Sequence, residues 1–368
     1  MPKRLKGVFL AAFLMWLFVA DVHAQTPQET MLEGKVVGVS SYGQKEVGDE
    51  LLDYQLLEIE ITKGSAKGDV VLVENLESSV ILGPVPYQEF KSGDKLRIGA
   101  VETLSGEVIY NIDGQVKRQG LLQLLFIFIF VVLIVGRIWG VLSIVGLVVS
   151  FLVIFRLIIP MIIRGQDPFL AASLGSLIII PATFYISHGF NKKTHVGVVS
   201  TLFSLMITGF LAVYFVDAVH LTGFASEEAG FLQVQRQGSI DLKNLLLAGI
   251  IIGTLGILDD VTVGQASTVE QLKKANPKLA PKQMFIQAMQ VGQDHISSMV
   301  NTLVLVYSGS ALPLILMFYD SQKTFVDIVE FELIAEEIVR MLVGSIGLVL
   351  AAPMATAIAA FWFAKSDK

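Results

Sequence analysis

Two adjacent aspartates, Asp259 and Asp260, lie in the second half of an apolar stretch that is long enough to cross a membrane. A charged side chain near the middle of a bilayer costs roughly 2.5 to 3.5 kcal/mol on insertion scales, so it needs a partner or a water-filled cavity. Carboxylates in such a place can bind a cation or relay a proton. The alternative interpretation is structural: either a buried, hydrogen-bonded pair that fixes the helix register, or a pair that lies closer to the cytoplasmic interface.

Small residues share one helical face with Asp260. At 100° per residue, a narrow sector contains Gly249, Gly253, Gly256, Gly264 and Ser267. Because small residues let another helix approach closely, we expect the four glycines to be helix-packing positions. The same pattern predicts that Asp260 points into a protein interface and away from lipid.

A later apolar segment, residues 298–318, has polar residues on one side. Since consecutive spans run in opposite directions, Asn301 and Thr302 should lie at a depth similar to that of Asp260. The predicted ion or proton site therefore consists of Asp259, Asp260, Asn301 and Thr302. Ser310 and the nearby Pro313 mark a place where this helix is expected to break and expose backbone carbonyls.

Other groups of residues give weaker evidence for a chemical function. His188, His195 and His295 map to helix ends, but no pair has the spacing of a metal motif, so we interpret them as interfacial polar anchors and predict no metal or cofactor. No serine, histidine and acid triad and no phosphate-binding glycine loop is visible. An intramembrane aspartyl protease would need its aspartates on two helices. The sequence therefore does not predict an enzyme.

The composition indicates the class of protein. Hydrophobic residues make up 53% of the chain and charged residues 16%. These values depart from those of soluble globular proteins and are typical of polytopic membrane proteins. The chain contains no cysteine, which excludes disulfides and thiolate metal sites.

The N-terminal residues 1–24 have the pattern of a secretory signal peptide. A basic start precedes a short apolar run and a small residue at a plausible cleavage point. A retained membrane anchor is the alternative. Both interpretations place the following segment outside the cytoplasm.

Residues 25–118 have the composition of a small water-soluble domain. Apolar and polar residues alternate in residues 57–62, which predicts a strand. Further strands are predicted at residues 36–39, 70–73, 96–101 and 108–112. Five short strands favour a small extracytoplasmic barrel or sandwich. An OB-like barrel would offer a binding face, but the segment is acidic and poor in aromatics, which argues against nucleic acid. We expect a cap or assembly domain, with ligand or partner sensing as the alternative.

Residues 119–368 form the predicted transmembrane domain. The fold class is a polytopic α-helical membrane bundle of about seven transmembrane helices, preceded by the small all-β domain. Each span fits a hydrocarbon core of roughly 30 Å. The predicted spans are residues 120–136, 138–159, 168–187, 196–216, 245–264, 298–318 and 338–363. Only Arg137 separates the first two, which predicts a tight hairpin.

The distribution of Lys and Arg predicts the orientation of these spans. If residues 25–118 lie outside, the cytoplasmic loops hold Arg137, Lys192, Lys193 and four lysines within residues 273–282. The external loops are poorer in Lys and Arg and richer in acidic residues. This agrees with the positive-inside rule and predicts a cytoplasmic C-terminus.

Three stretches carry a resemblance to a known family. The chain contains LLLAGIIIGTLGILDDVTVGQASTVEQLKKANP, then NTLVLVYSGSALP, then AEEIVRMLVGSIGLVLAAP. In these it resembles the YibE/F family of bacterial multipass membrane proteins, and the similarity extends from about Glu33 to the C-terminus. The resemblance implies an extracytoplasmic β domain followed by a helical bundle, and it transfers no catalytic residues.

We therefore expect an integral protein of the bacterial cytoplasmic (inner) membrane. The leading hypothesis is a transporter or permease component with an intramembrane carboxylate site. The alternative is a non-transport assembly or regulatory protein whose β domain contacts a partner. The expected partners are the lipid bilayer, a small ion or proton, and a second copy or another membrane protein.

Overall fold

The computed structural model describes residues 30–47, 50–76, 87–102, 108–319 and 323–365. The predicted signal peptide, residues 1–24, lies outside the described residues. The chain divides into two compact units, one of residues 21–131 and one that contains residues 132–368. The first unit holds the sheet and the second holds most of the helices.

Five antiparallel strands form the predicted small β domain. They are β1 Thr30–Val47, β2 Glu50–Lys63, β3 Val70–Leu76, β4 Lys95–Glu102 and β5 Val108–Gln115. The sheet order is β3-β2-β1-β4-β5, and β3 and β5 also approach each other. This is the strand order of an OB-type barrel. The strands are longer than the alternation predicted, because main-chain pairing of β1 with β2 continues to Val47 and Glu50.

The core of this domain comes from alternate residues of the strands. Leu32, Val36, Leu57, Ile59 and Ile98 are fully buried. Burying a side chain of this size contributes about 1.5 to 3 kcal/mol. The hydrophobic alternation therefore determines which face of each strand turns inward.

A buried amide holds the segment before β4 against the sheet. Gln55 on β2 donates to the Phe90 carbonyl at 3.3 Å and accepts from the Phe90 N–H at 2.9 Å. Asn75 on β3 donates to the Gln88 carbonyl at 2.9 Å. These bonds replace strand pairing for residues 88–90, so the Phe90 ring closes the core.

Glu33 on β1 contacts two cations. Its carboxylate accepts two hydrogen bonds from the Arg118 guanidinium, at 3.0 and 3.1 Å, and lies 3.5 Å from the Lys63 amine. The hydrogen bonds from Arg118, together with the charges of Arg118 and Lys63, hold the pKa of Glu33 below its ordinary value of 4.5. The ion pair joins the sheet to the residue that begins the first helix.

The second part of the chain is helical. Its helices are α1 Arg118–Val153, α2 Ile159–Ile163, α3 Pro168–His188, α4 Lys192–Ala218, α5 Glu227–Gln235, α6 Leu242–Ala275, α7 Pro281–Ser310, α8 Leu312–Tyr319, α9 Phe325–Val329 and α10 Glu332–Ala364. A π-helical turn, Ile154–Ile158, connects α1 to α2.

Helix α1 is interrupted at the predicted hairpin. Arg137 has φ 50° and ψ −129°, which no helical residue adopts. The chain bends so sharply between Val132 and Gly140 that a Cβ on Gly140 would clash with the carbonyl of Val132. Beyond this, Pro160 has no N–H to donate to the Arg156 carbonyl, and the adjacent Ile159 N–H reaches back to Ile154 instead.

The predicted break in the later span is confirmed. Helices α7 and α8 meet at an angle of 66° on either side of Ala311. The first part of the predicted span at residues 298–318 is the second part of a longer helix, because α7 begins at Pro281 and continues without interruption to Ser310.

The described residues contain five helical segments that are long and apolar enough to cross a membrane, or six if α7 and α8 together form one. The first of them, Arg118–Ile163, includes the interruption at Arg137. Large apolar side chains are exposed along the helices, with Phe126 68% and Phe210 72% exposed. Apolar surface of this extent fits contact with lipid. The predicted number of about seven spans stays a prediction.

We expect the replacement Glu33→Gln to lower the midpoint of thermal unfolding at pH 7 and to have little effect near pH 3. Because the pKa of Glu33 is lower in the folded protein, its carboxylate stabilises the fold above the unfolded pKa, and this contribution is lost as the pH falls through the folded pKa. The measurement is unfolding of the full chain in detergent at both pH values. Glu46→Gln, on the same strand, is the control. An equal loss at both pH values would contradict the prediction.

Candidate functional site

Helix α6 lies in the centre of the bundle and carries both aspartates. It packs against α3, α4, α7 and α10. Asp241 caps its start by accepting from the Asn244 N–H at 3.1 Å. Asp259 lies 17 residues after Leu242 and 16 before Ala275, which at 1.5 Å per residue places it roughly 25 Å from either end. The carboxylates are therefore near the middle of α6 and in the second half of its predicted apolar span, residues 245–264.

The two aspartates lie on different sides of α6. Asp259 is half-buried, whereas Asp260 is exposed. The four glycines that share the face of Asp260 are also exposed. A Cβ added at Gly249, Gly256 or Gly264 would meet nothing within 4 Å, and one at Gly253 would lie 3.7 Å from the Tyr307 hydroxyl. This face of α6 is open in a single chain, so contact of the glycine stripe with another helix stays a prediction.

Threonine side chains join α6 to α4 beside Asp259. The hydroxyls of Thr201 and Thr262 are 2.7 Å apart, and both residues are fully buried. Thr262 also donates to the Asp259 carbonyl at 3.3 Å. The backbone of Asp259 is thus part of the contact between the two helices.

A second polar contact joins α6 to α10. The Thr356 hydroxyl donates to Gln265 at 2.8 Å, and Gln265 is buried. A Cβ on Gly292 of α7 would lie 2.9 Å from the Gln265 amide nitrogen. Helices α6, α7 and α10 therefore meet around one buried amide.

Within the single chain, other glycines allow close helix approach. A Cβ on Gly347 of α10 would clash with Thr208 of α4, and one on Gly344 would lie 3.5 Å from the Thr254 hydroxyl. A Cβ on Gly197 of α4 would lie 3.1 Å from both Phe184 and Val263. The Gly-Ser-x-Gly pattern at residues 344–347 was the sequence signal for the first two.

The end of α3 places a histidine within electrostatic range of Asp260. The charges of Lys193 and Asp260 both act on His188, the last residue of α3. In the following turn, Asn191 donates to the His188 carbonyl at 2.7 Å, and Tyr185 bonds His195 at 2.7 Å. The sequence indicated only interfacial anchors here, because the electrostatic interaction of His188 with Asp260 depends on the packing of α3 against α6 and not on a sequence spacing.

Asn301 and Thr302 lie on an exposed side of α7. Thr302 donates to the Ser298 carbonyl at 2.9 Å. Within the described residues, no hydrogen bond joins either side chain to Asp259 or Asp260. The four-residue site therefore stays a prediction.

Hydroxyl groups also line the interior of the bundle. The Oγ atoms of Ser200 on α4 and Ser345 on α10 are buried and have no hydrogen-bond partner among the described residues. An unpaired buried hydroxyl costs about 1 to 3 kcal/mol. Across the described ranges, no group of three or more His, Cys, Asp or Glu side chains could hold a metal ion.

The class of protein is a helical membrane protein. Its helices are long and apolar, they expose apolar surface, and the central helix carries two aspartates. Its sequence matches the family described as YibE/F-like protein over residues 124–365, which is more than half of the chain. The chain belongs to this family. No curated protein and no solved structure matches it.

We expect Gly347→Ala to lower the stability of the protein by about 1 to 3 kcal/mol, because its Cβ would clash with Thr208 in a packed interface. Gly256→Ala is the matched control, since its Cβ would meet nothing within 4 Å and Ala favours a helix by about 1 kcal/mol. Thermal unfolding in detergent measures both. A loss for Gly256→Ala as large as that for Gly347→Ala would show that the open face of α6 is covered.

Proposed function

We propose that this protein is a transporter or permease component of the bacterial cytoplasmic membrane, in which Asp259 and Asp260 bind a small cation or a proton. The observation that carries the proposal is the position of the two carboxylates, halfway along the central helix of an apolar bundle. Charge within an apolar span is costly, and membrane proteins retain it mainly in ion or proton pathways.

The surroundings of the aspartates support a pathway. Asp260 is exposed on the open face of α6, and its charge acts on His188 at the end of α3. Histidine exchanges protons near neutral pH, so it is suited to pass a proton between the aspartate and the end of the bundle. Asp259 is half-buried, and its backbone carbonyl accepts from Thr262, the residue that also bonds Thr201 of α4.

Helix α7 supplies the remaining groups of the proposed site. Asn301 and Thr302 provide an amide oxygen and a hydroxyl oxygen, both suitable ligands for a hard cation. The span that contains them is broken at Ala311. Broken spans are common at transporter binding sites, where they allow one part of a helix to move relative to the other. We propose that Asn301 and Thr302 approach the aspartates by such a movement.

A second candidate is a non-transport assembly or regulatory protein. The β1–β2 hairpin favours it, because this hairpin exposes Tyr42 (81%) and Leu51 (66%). Exposed aromatic and aliphatic side chains on an OB-type barrel are suited to contact a partner. In this case the aspartates would have a structural role.

Proteoliposomes that contain an entrapped pH-sensitive dye test the leading proposal. We expect Asp260→Asn to reduce proton flux at least about tenfold, the effect of roughly 1.4 kcal/mol on a barrier. Glu270→Gln makes the same chemical change on the same helix, at a surface ion pair with Lys274, and should leave the flux unchanged. Equal flux in the wild type and in Asp260→Asn, at equal folded yield and with either proton or Na⁺ gradients, would favour the second candidate.

We propose the orientation in which the β domain lies outside and the C-terminus lies in the cytoplasm. The excess of Lys and Arg in the loops that would be cytoplasmic supports it. Reporter fusions at Lys192 and Gly230 should give cytoplasmic and external signals, respectively. An external signal at Lys192 would reverse the orientation.

A further inference from the structure

A groove lies at one end of the helical bundle, between the start of α4 and the last turns of α10. Its volume is about 700 Å³. It is lined by Lys192, Ala357, Ile358, Phe361, Trp362 and Lys365. Among the described residues that line the groove, the two lysines are basic and the remaining side chains are apolar.

The positions of these residues match the boundary of a bilayer. Lys192 is the first residue of α4, and Lys365 directly follows α10, so both amines lie where apolar helices end. Phe361 is 68% exposed and Trp362 is 43% exposed. Tryptophan concentrates at the headgroup level of membranes, where its ring is half in contact with hydrocarbon. Basic side chains next to it face the lipid phosphates.

The electrostatics of the groove favour an anion. The positive end of the α4 dipole adds to the charge of Lys192, whereas the charge of Lys365 opposes the negative end of the α10 dipole. A second groove, between α3 and α4, is lined by Phe169, Phe203, Met206 and other residues without charge. The two grooves thus differ in chemistry, because only the one at the helix ends combines cations with an apolar wall.

We propose that this groove binds an anionic phospholipid. The phosphate lies between the amines of Lys192 and Lys365, and the first part of an acyl chain lies along Ile358, Phe361 and Trp362. Because Lys192 belongs to α4 and Lys365 follows α10, the bound lipid joins the ends of two helices that pack against α6. Neither Asp259 nor Asp260 lines the groove, so this site is independent of the proposed transport site.

Thermal unfolding of the delipidated full chain in neutral detergent tests the proposal. Phosphatidylglycerol should raise the midpoint by at least about 3 °C more than phosphatidylcholine with the same acyl chains. The double variant Lys192→Gln/Lys365→Gln should lose this difference, and Lys192→Arg/Lys365→Arg should retain it. Lys278→Gln/Lys282→Gln removes two exposed lysines elsewhere and is the matched control. Inorganic phosphate at millimolar concentration should give no comparable rise.

Three outcomes of this experiment would overturn the proposal. They are an equal response to the two lipids, a full response to phosphatidylglycerol in Lys192→Gln/Lys365→Gln, and a full response to inorganic phosphate. The last outcome would assign the groove to free anions and not to a lipid.

Fluorescence locates the lipid if the glutamine variant does not fold. Trp362 is one of three tryptophans, so Trp16→Phe/Trp139→Phe leaves it as the only one. Phosphatidylglycerol brominated on its acyl chains should quench Trp362 at a lower lipid fraction than brominated phosphatidylcholine does. Quenching that is identical for the two lipids would contradict a selective site.

Discussion

The packing of α6 against α4 and α10 is the constraint on which the helical bundle depends. Membrane helices gain little from the hydrophobic effect when they associate, so small residues and interhelical hydrogen bonds must hold them together. Here, Gly344 brings α10 close to a hydroxyl on α6, and Gly347 brings α10 close to a hydroxyl on α4. The Thr201–Thr262 hydrogen bond joins the remaining pair of helices, α4 and α6. Each such bond contributes only about 0.6 kcal/mol, so many contacts of this kind are required.

This packing determines the setting of the two aspartates. One side of α6 packs against α4 and α10. Asp259 lies next to Thr262, which forms the contact with Thr201 of α4. The opposite side remains open, with Asp260 and four glycines exposed. The two adjacent carboxylates therefore have different environments. Asp259 is half-buried beside the packed core, and Asp260 is accessible from outside the single chain. In the proposed ion or proton site, Asp260 is therefore the carboxylate that is open to exchange.

The β domain and the end of the helical bundle use charge in different ways. In the β domain, Glu33 forms ion pairs with Arg118 and Lys63 in water, where such pairs contribute little and depend on pH. At the end of the bundle, Lys192 and Lys365 line an apolar groove where the low dielectric of a bilayer strengthens attraction to a phosphate. The same amines would be weak binders on a soluble surface.

The sequence by itself determined the helical membrane class, the five strands of the β domain and the break after Ser310. Each depends on local pattern: apolar length, alternation of period two, and Gly, Ser and Pro close together. Only the tertiary structure decided which glycines pack, that α7 continues from Pro281, and that His188 lies near Asp260. These depend on how helices are rotated and joined in space. A helical period identifies a stripe such as Gly249 to Gly264, but it does not state whether that stripe faces a neighbour.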